Sequence, residues 1–207
     1  MNELKKTNGT TLVELMVAFA IAGIFMVSAT MLISSFTNVY LRIINRNRIQ
    51  DISNVVMEKV VEELTYASET ATEVDPDKIK GSVMLSGEDG SGNYLVAEYS
   101  NKDGNPVRMS TQADGEGNQK GLLLEYQPIY ENNSPDGAIL YEGSQWYMGK
   151  GFYKKNQVDL RFRKIENTAC IEVILTVSDE KGRYKKTTEK CVECIDLDPN
   201  DVQGEGG

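Results

Sequence analysis

Two groups of residues in this chain have types and spacings that could carry chemistry. The first is Thr10 and Glu14, four positions apart and therefore on one face of any helix that holds both. After Glu14 no charged residue occurs until Arg42, so the acid stands at the mouth of the uncharged stretch Leu15 to Leu41. In a bilayer a charged side chain costs about 2.5–3.5 kcal/mol at the helix centre, and less near the surface. Such a carboxylate needs a cationic partner. A free amine at Thr10 would supply that counter-ion, within one chain or between neighbouring ones. The second group is Cys170, Cys191 and Cys194. The chain has no histidine, so no serine or cysteine triad can be built. A zinc site would need Cys170 and a carboxylate beside Cys191-Val192-Glu193-Cys194. No metal, cofactor or small-molecule substrate is expected, and nothing reads as catalysis.

The elements that must position Thr10 and Glu14 follow from the apolar run. Leu15 to Leu41 is long enough to cross a membrane as a helix. A secretory signal peptide has an apolar core of only about 7–15 residues, and an acid at its entrance is atypical. A plain signal anchor would explain the length and leave Glu14 unexplained. Beyond Arg42 the helix continues: Ile49, Ile52, Val56, Val60 and Leu64 recur at helical spacing, with Val55, Val61 and Ala67 widening the stripe. Arg46, Arg48, Asp51, Glu58, Lys59, Glu62 and Glu63 occupy the other faces. No proline occurs before Pro76, so nothing enforces a stop earlier. A helix from about Thr11 to Tyr66 would be on the order of 80 Å long at 1.5 Å per residue. Its second half must lay its stripe on an apolar surface. Its heptads are too irregular for a coiled coil, and a sheet of the same chain is the expected partner.

The N-terminal residues closely resemble the prepilin-type signal of type IV pilins and type II secretion pseudopilins. The resemblance rests on the basic leader Lys5-Lys6-Thr7-Asn8-Gly9, then Thr11-Leu12-Val13-Glu14-Leu15, then the apolar segment Met16 to Phe36. It implies that a membrane prepilin peptidase cuts between Gly9 and Thr10 and methylates the Thr10 amine. It also implies that Glu14 acts between subunits during filament assembly. Thr10 stands where family members usually carry Phe or another hydrophobic residue. The partners implied are the peptidase, other pilins or pseudopilins of the filament, and membrane lipid before assembly. The resemblance further implies a long helix whose outer half packs on a β-sheet head. The long, loop-rich head and the retained Glu14 look most like a minor pilin or a J-type or PilW-like minor pseudopilin.

From about Ile79 the apolar period changes to two. Expected strands are Ser82–Leu85, Tyr94–Tyr99, Val107–Ser110, Leu122–Tyr126, Ala138–Glu142, Val158–Lys164, Cys170–Val177 and Tyr184–Glu189. Gly-, Asn- and Asp-rich segments separate them, with Ser178 to Arg183 read as a hairpin turn. The fold class is therefore α+β, a pilin-like long N-terminal helix packed on an antiparallel sheet. The expected division is a leader at 1–9, a membrane and assembly half-helix at 10–41, an amphipathic half-helix at 42–70, a β-rich head at 71–197 and a flexible tail at 198–207. Asp196-Leu197-Asp198-Pro199-Asn200-Asp201 starts like a calcium loop but lacks its central glycine and closing glutamate. The default reading there is a solvated terminus. Trp146 reads as a core aromatic.

Charge and topology agree with an envelope protein. The formal net charge is -9, and removal of residues 1–9 takes away Glu3, Lys5 and Lys6 to leave -10. That sign argues against direct nucleic-acid binding. Lys5 and Lys6 suit a cytoplasmic N-terminus, with the head extracytoplasmic. Export would permit a disulfide, with Cys170–Cys191 or Cys170–Cys194 the expected pair. Cys191 and Cys194 could also pair with each other. Two function classes follow: a filament subunit of a pilus, competence pilus or secretion pseudopilus, or a membrane-anchored binding protein or adhesin acting alone.

Overall fold

The computed structural model describes residues 11–67, 83–102, 105–113, 120–130, 138–195 and 197–204. One helix, α1 (Leu12–Thr65), is followed by β1 (Val83–Glu88), β2 (Tyr94–Ser100), β3 (Pro106–Ala113), β4 (Lys120–Tyr126), β5 (Ile129–Tyr130), β6 (Ile139–Tyr141) and β7 (Ser144–Tyr147). A short helix α2 (Lys150–Tyr153) then leads to β8 (Asn156–Lys164), β9 (Cys170–Asp179), β10 (Lys185–Glu193) and β11 (Val202–Gly204). The fold is α+β: a long N-terminal helix and a nine-stranded, largely antiparallel sheet. The chain divides into two compact units at Asn45/Arg46.

In the first unit the apolar side chains of α1 face outward along its whole length, Phe25 being 74% and Phe36 72% exposed. The segment is long and apolar enough to cross a membrane. Three of its hydroxyls bond back within the helix. Ser28 donates to the Ile24 carbonyl at 3.0 Å, Thr30 to Met26 at 2.8 Å and Thr37 to Ile33 at 2.9 Å. Each of these three hydroxyls is thus satisfied one turn back in the same helix, as a hydrocarbon environment requires.

In the second unit the main sheet path runs β10-β9-β8-β2-β3-β4-β7, and β1 pairs with β2 on one side and β11 on the other. Every pairing is antiparallel except β1 with β11. The alternation of β8 and β9 sorts their faces: Val158, Leu160, Phe162, Ile171, Val173, Leu175 and Val177 are fully buried. They form one core with Ile49, Ile52, Val56, Val60 and Leu64 of α1. The stripe expected from the sequence is therefore the packed face. Ser53 joins it through a 2.9 Å hydrogen bond to Thr188 on β10. Arg48 donates to the carbonyls of Gly151 and Phe152. At the helix end the Ile195 N–H donates to the Thr65 carbonyl at 3.1 Å and satisfies one of the free C-terminal acceptors.

Three expectations require correction. Strand β10 runs to Glu193 and so carries Cys191, beyond the Glu189 at which its polar sequence suggested an end. Strands β5 and β7, two and four residues long, are too short for a period to show and were not expected, whereas β6 lies within the expected Ala138–Glu142. The tail is not frayed throughout. Val202–Gly204 adds a parallel strand to β1 in the register Val83↔Val202, and Val202 is fully buried. Tyr94 fixes this strand by covering Gly204, where a Cβ would lie 2.2 Å from its hydroxyl oxygen.

Candidate functional site

Gly9 and Thr10, the expected processing positions, lie outside the described residues. Immediately after them Thr11 opens α1. The Thr11 N–H donates to Glu14 Oε2 at 2.8 Å, and the Glu14 N–H donates to Thr11 Oγ1 at 3.3 Å. The Leu15 N–H reaches the Thr11 carbonyl at 3.2 Å and closes the first turn. This is a reciprocal capping box, with Thr11 at the N-cap and Glu14 three residues on. The acid also sits in the first turn, where the helix dipole favours negative charge.

Glu14 thus has a local partner in the uncut chain, and that partner is Thr11. The sequence carried the signal as Thr-x-x-Glu before an apolar run. A carboxylate offers about four acceptor positions, so the cap leaves Glu14 capacity for a cationic amine. The helix that follows is the uncharged, outward-facing segment described above.

The cysteines lie at the open end of the β9–β10 hairpin, and all three are free thiols. Cys170 begins β9, Cys191 is on β10, and Cys194 follows β10 with its N–H donating to the Ala169 carbonyl at 3.0 Å. Cys191 is exposed, Cys170 half-buried and Cys194 buried. Burial pushes the Cys194 thiol up to about 12. Among the described residues no group of three or more His, Cys, Asp or Glu side chains could hold a metal ion. Asp198 and Asp201 instead form a turn, the Asp198 N–H donating to Asp201 Oδ2 at 2.7 Å.

A cleft of about 280 Å³ lies beside the end of α1, lined by Lys59, Glu62, Glu63, Tyr66, Lys102 and Tyr126 among others. Three of its charged groups, Lys59, Glu62 and Glu63, are committed to one another. Lys59 Nζ lies 2.6 Å from Glu63 Oε1, and the Tyr99 hydroxyl donates to Glu63 Oε2 at 3.2 Å. Burial, followed by the Glu63 charge, drives the Tyr99 hydroxyl well above its ordinary range. For Lys59 burial works in the lowering direction, and the Glu63 contact outweighs it to give a raised value. Lys59 also lies 5.7 Å from the ring centre of Trp146, which is half-buried against the core as its aromatic type suggested. This arrangement fastens the helix end to the sheet; it does not resemble a nucleophile with a base.

Residues 4–30 match the family model of the prokaryotic N-terminal methylation motif. That motif is the signal of type IV pilin and pseudopilin-type precursors. No curated protein and no solved structure matches the chain.

Proposed function

We propose that this chain, whose first thirty residues carry a pilin-type precursor signal, is a structural subunit of an envelope filament, a minor pilin or pseudopilin. In this reading a prepilin peptidase cuts between Gly9 and Thr10 and methylates the Thr10 amine. The mature chain stays in the membrane by its apolar half-helix, N-terminus cytoplasmic and head outside, until it joins other pilins in a pilus, competence pilus or secretion pseudopilus. The observation that carries the reading is Glu14, an acid at the head of a helix whose following apolar surface faces outward. Its capping role explains why the helix starts at Leu12 but does not by itself explain a carboxylate, since a Gln three residues after the N-cap would complete the box as well. A neighbour's Thr10 amine would use the remaining acceptor capacity and neutralise the acid in the hydrocarbon.

Mass spectrometry of the mature N-terminus tests the reading. A start at N-methylated Thr10 is expected. An intact Met1, or a cut beyond residue 28, would favour an anchored binding protein acting alone. Glu14→Ala is expected to leave cleavage intact and to lower the amount recovered in sheared filaments at least about tenfold, equivalent to roughly 1.4 kcal/mol or more. Normal incorporation of that variant would sink the assembly role.

A further inference from the structure

Hydrogen bonds and strand register fix which ends of the head's elements lie together. Ser53 of α1 bonds Thr188 of β10 at 2.9 Å, and beyond β10 the Ile195 N–H donates to the Thr65 carbonyl at 3.1 Å. Strand β10 therefore runs in the same direction as α1, and its first residue, Lys185, lies toward the Arg46 end of the helix. Arg48 donates to the Gly151 and Phe152 carbonyls of α2 at 3.2 and 2.9 Å, which brings Lys154 and Lys155 to that same end. Asn156 stands opposite Asp179 in the β8–β9 register, so the β9–β10 turn lies beside them.

That end is basic in a chain whose net charge is -9. Lys154 and Lys155 precede β8, Lys181 and Arg183 occupy the turn, and Lys185 and Lys186 open β10. All are exposed except Lys186, which is half-buried. The acids among them are Asp179 and Glu180. Arg183 approaches Asp179 at 3.8 Å and Lys155 approaches Glu180 at 3.9 Å. Both pairs are long and open to water on the cationic side, so they tie up little of the charge. On the helix, the exposed Arg46 adds one cation and the exposed Asp51 one acid.

The same end is where the chain enters the head. Helix α1 carries no charge from Leu15 to Leu41, and Arg46 follows Leu41 by five residues, about 7.5 Å as helix. A headgroup layer is about 5–8 Å thick on each side of the hydrocarbon, and an anionic surface acts over a Debye length of about 8 Å.

We propose that this basic end of the head is a docking surface for the anionic phospholipid headgroups of the leaflet from which the chain emerges. The proposal rests on the reading that the apolar part of α1 lies in a membrane. Chain connectivity then holds the cations beside the bilayer at an effective concentration that a free polyanion does not match. Each lysine or arginine near such a surface strengthens attachment about fivefold. The contact would hold the head against the leaflet before assembly, and extraction of the subunit would have to break it.

The test uses the full chain in lipid nanodiscs of phosphatidylcholine alone, or of phosphatidylcholine mixed equally with phosphatidylglycerol. An amine-reactive reagent modifies the lysines, and peptide mass spectrometry reads the rate at each. Lys102 and Lys164 are the references, since Lys102 lines the cleft beside the end of α1 and Lys164 closes β8 at the end away from Asn156. In anionic discs Lys154, Lys181 and Lys185 are expected to react at least about fivefold more slowly, with both references unchanged. The protection should vanish in about 1 M salt, where the Debye length is about 3 Å. Lys181→Gln combined with Lys185→Gln should remove most of the protection at Lys154 and leave the references as they were. Full protection of Lys154 in that variant would overturn the proposal. Equal reactivity in the two kinds of disc, by chain that co-elutes with both, would overturn the lipid contact and leave the membrane reading standing. Failure to co-elute with either disc would overturn the membrane reading and the proposal together. Protection of the same lysines by a short DNA duplex in neutral discs, with none from anionic lipid, would overturn the proposal in favour of a nucleic-acid surface.

Discussion

The two parts of α1 share a secondary structure and differ in nearly everything else. From Leu12 to Asn45 its large apolar side chains point outward in all directions, while from Arg46 onward Ile49, Ile52, Val56, Val60 and Leu64 turn to one side and are buried. The first part has no apolar stripe because it has no polar face to set against one. The second is ordered by charge at the remaining positions, such as Asp51, Glu58 and Glu62. One continuous helix therefore carries the instructions for two solvents. In the proposed reading, apolar side chains in the first part contact lipid or neighbouring helices, while those in the second hold the head together.

Matched truncations test that contrast most strongly. Leu64→Ala removes a fully buried side chain and is expected to cost about 2–5 kcal/mol of head stability. Phe25→Ala, in the exposed part, should leave the denaturation midpoint of the head unchanged. Both can be measured in detergent through the fluorescence of Trp146, the chain's single tryptophan. Equal losses would break the division of labour between the two parts.

Alkaline titration probes the buried part further. Burial pushes the folded Cys194 thiol up to about 12, well above the ordinary thiol value of about 8.5 that an unfolded chain shows. Its contribution to stability is complete below about pH 8.5 and is lost as pH rises toward 12, because the unfolded chain releases its proton first. The expected slope is at most about 1.4 kcal/mol per pH unit. Tyr99 acts in the same direction, its hydroxyl being held protonated by burial. Lys59 adds to the loss above pH 10.5, since its pairing with Glu63 raises its folded value. Denaturation midpoints between pH 8 and 11 should fall, and more shallowly in Cys194→Ala. An unchanged slope in that variant would show that Cys194 is not the buried acid responsible.

Much of this arrangement was legible in the sequence, for reasons that differ by element. The stripe from Ile49 to Leu64 and the alternation of Val158 to Phe162 are long repeats, so the helix and the central strands could be read directly. The class of the N-terminal signal could be read because it fixes residue order and spacing together. Strand β11 could not. Val202-Gln203-Gly204 is too short for a period, and its place depends on β1, more than a hundred residues away. The faces on which the cysteines fall were also hidden, since they depend on β10 continuing through Lys190-Cys191-Val192-Glu193. Gly204→Ala checks the strand that the sequence concealed. The new Cβ would force Tyr94 aside at a cost of about 1–3 kcal/mol, read as a lower denaturation midpoint. A neutral result would mean that β11 contributes little to the head.

The smallest expected effect lies at the start of α1, where the cap and the charge of Glu14 can be separated. Thr11→Val removes the hydroxyl that accepts the Glu14 N–H but keeps the side-chain shape and the backbone N–H that meets Glu14 Oε2. Loss of an N-cap oxygen costs about 0.5–2 kcal/mol, confined to the first turn, so the head's stability should not move. Amide exchange in detergent should quicken at Glu14 and Leu15 and stay unchanged from Ile49 to Leu64. If Glu14 acts chiefly by meeting an amine of a neighbour, Thr11→Val should still assemble while Glu14→Gln, which can retain the cap's acceptor but not its charge, should not. If the two variants fail alike, the acid matters mainly as a cap, and the outward-facing part of α1 depends on its own first turn more than on any neighbour.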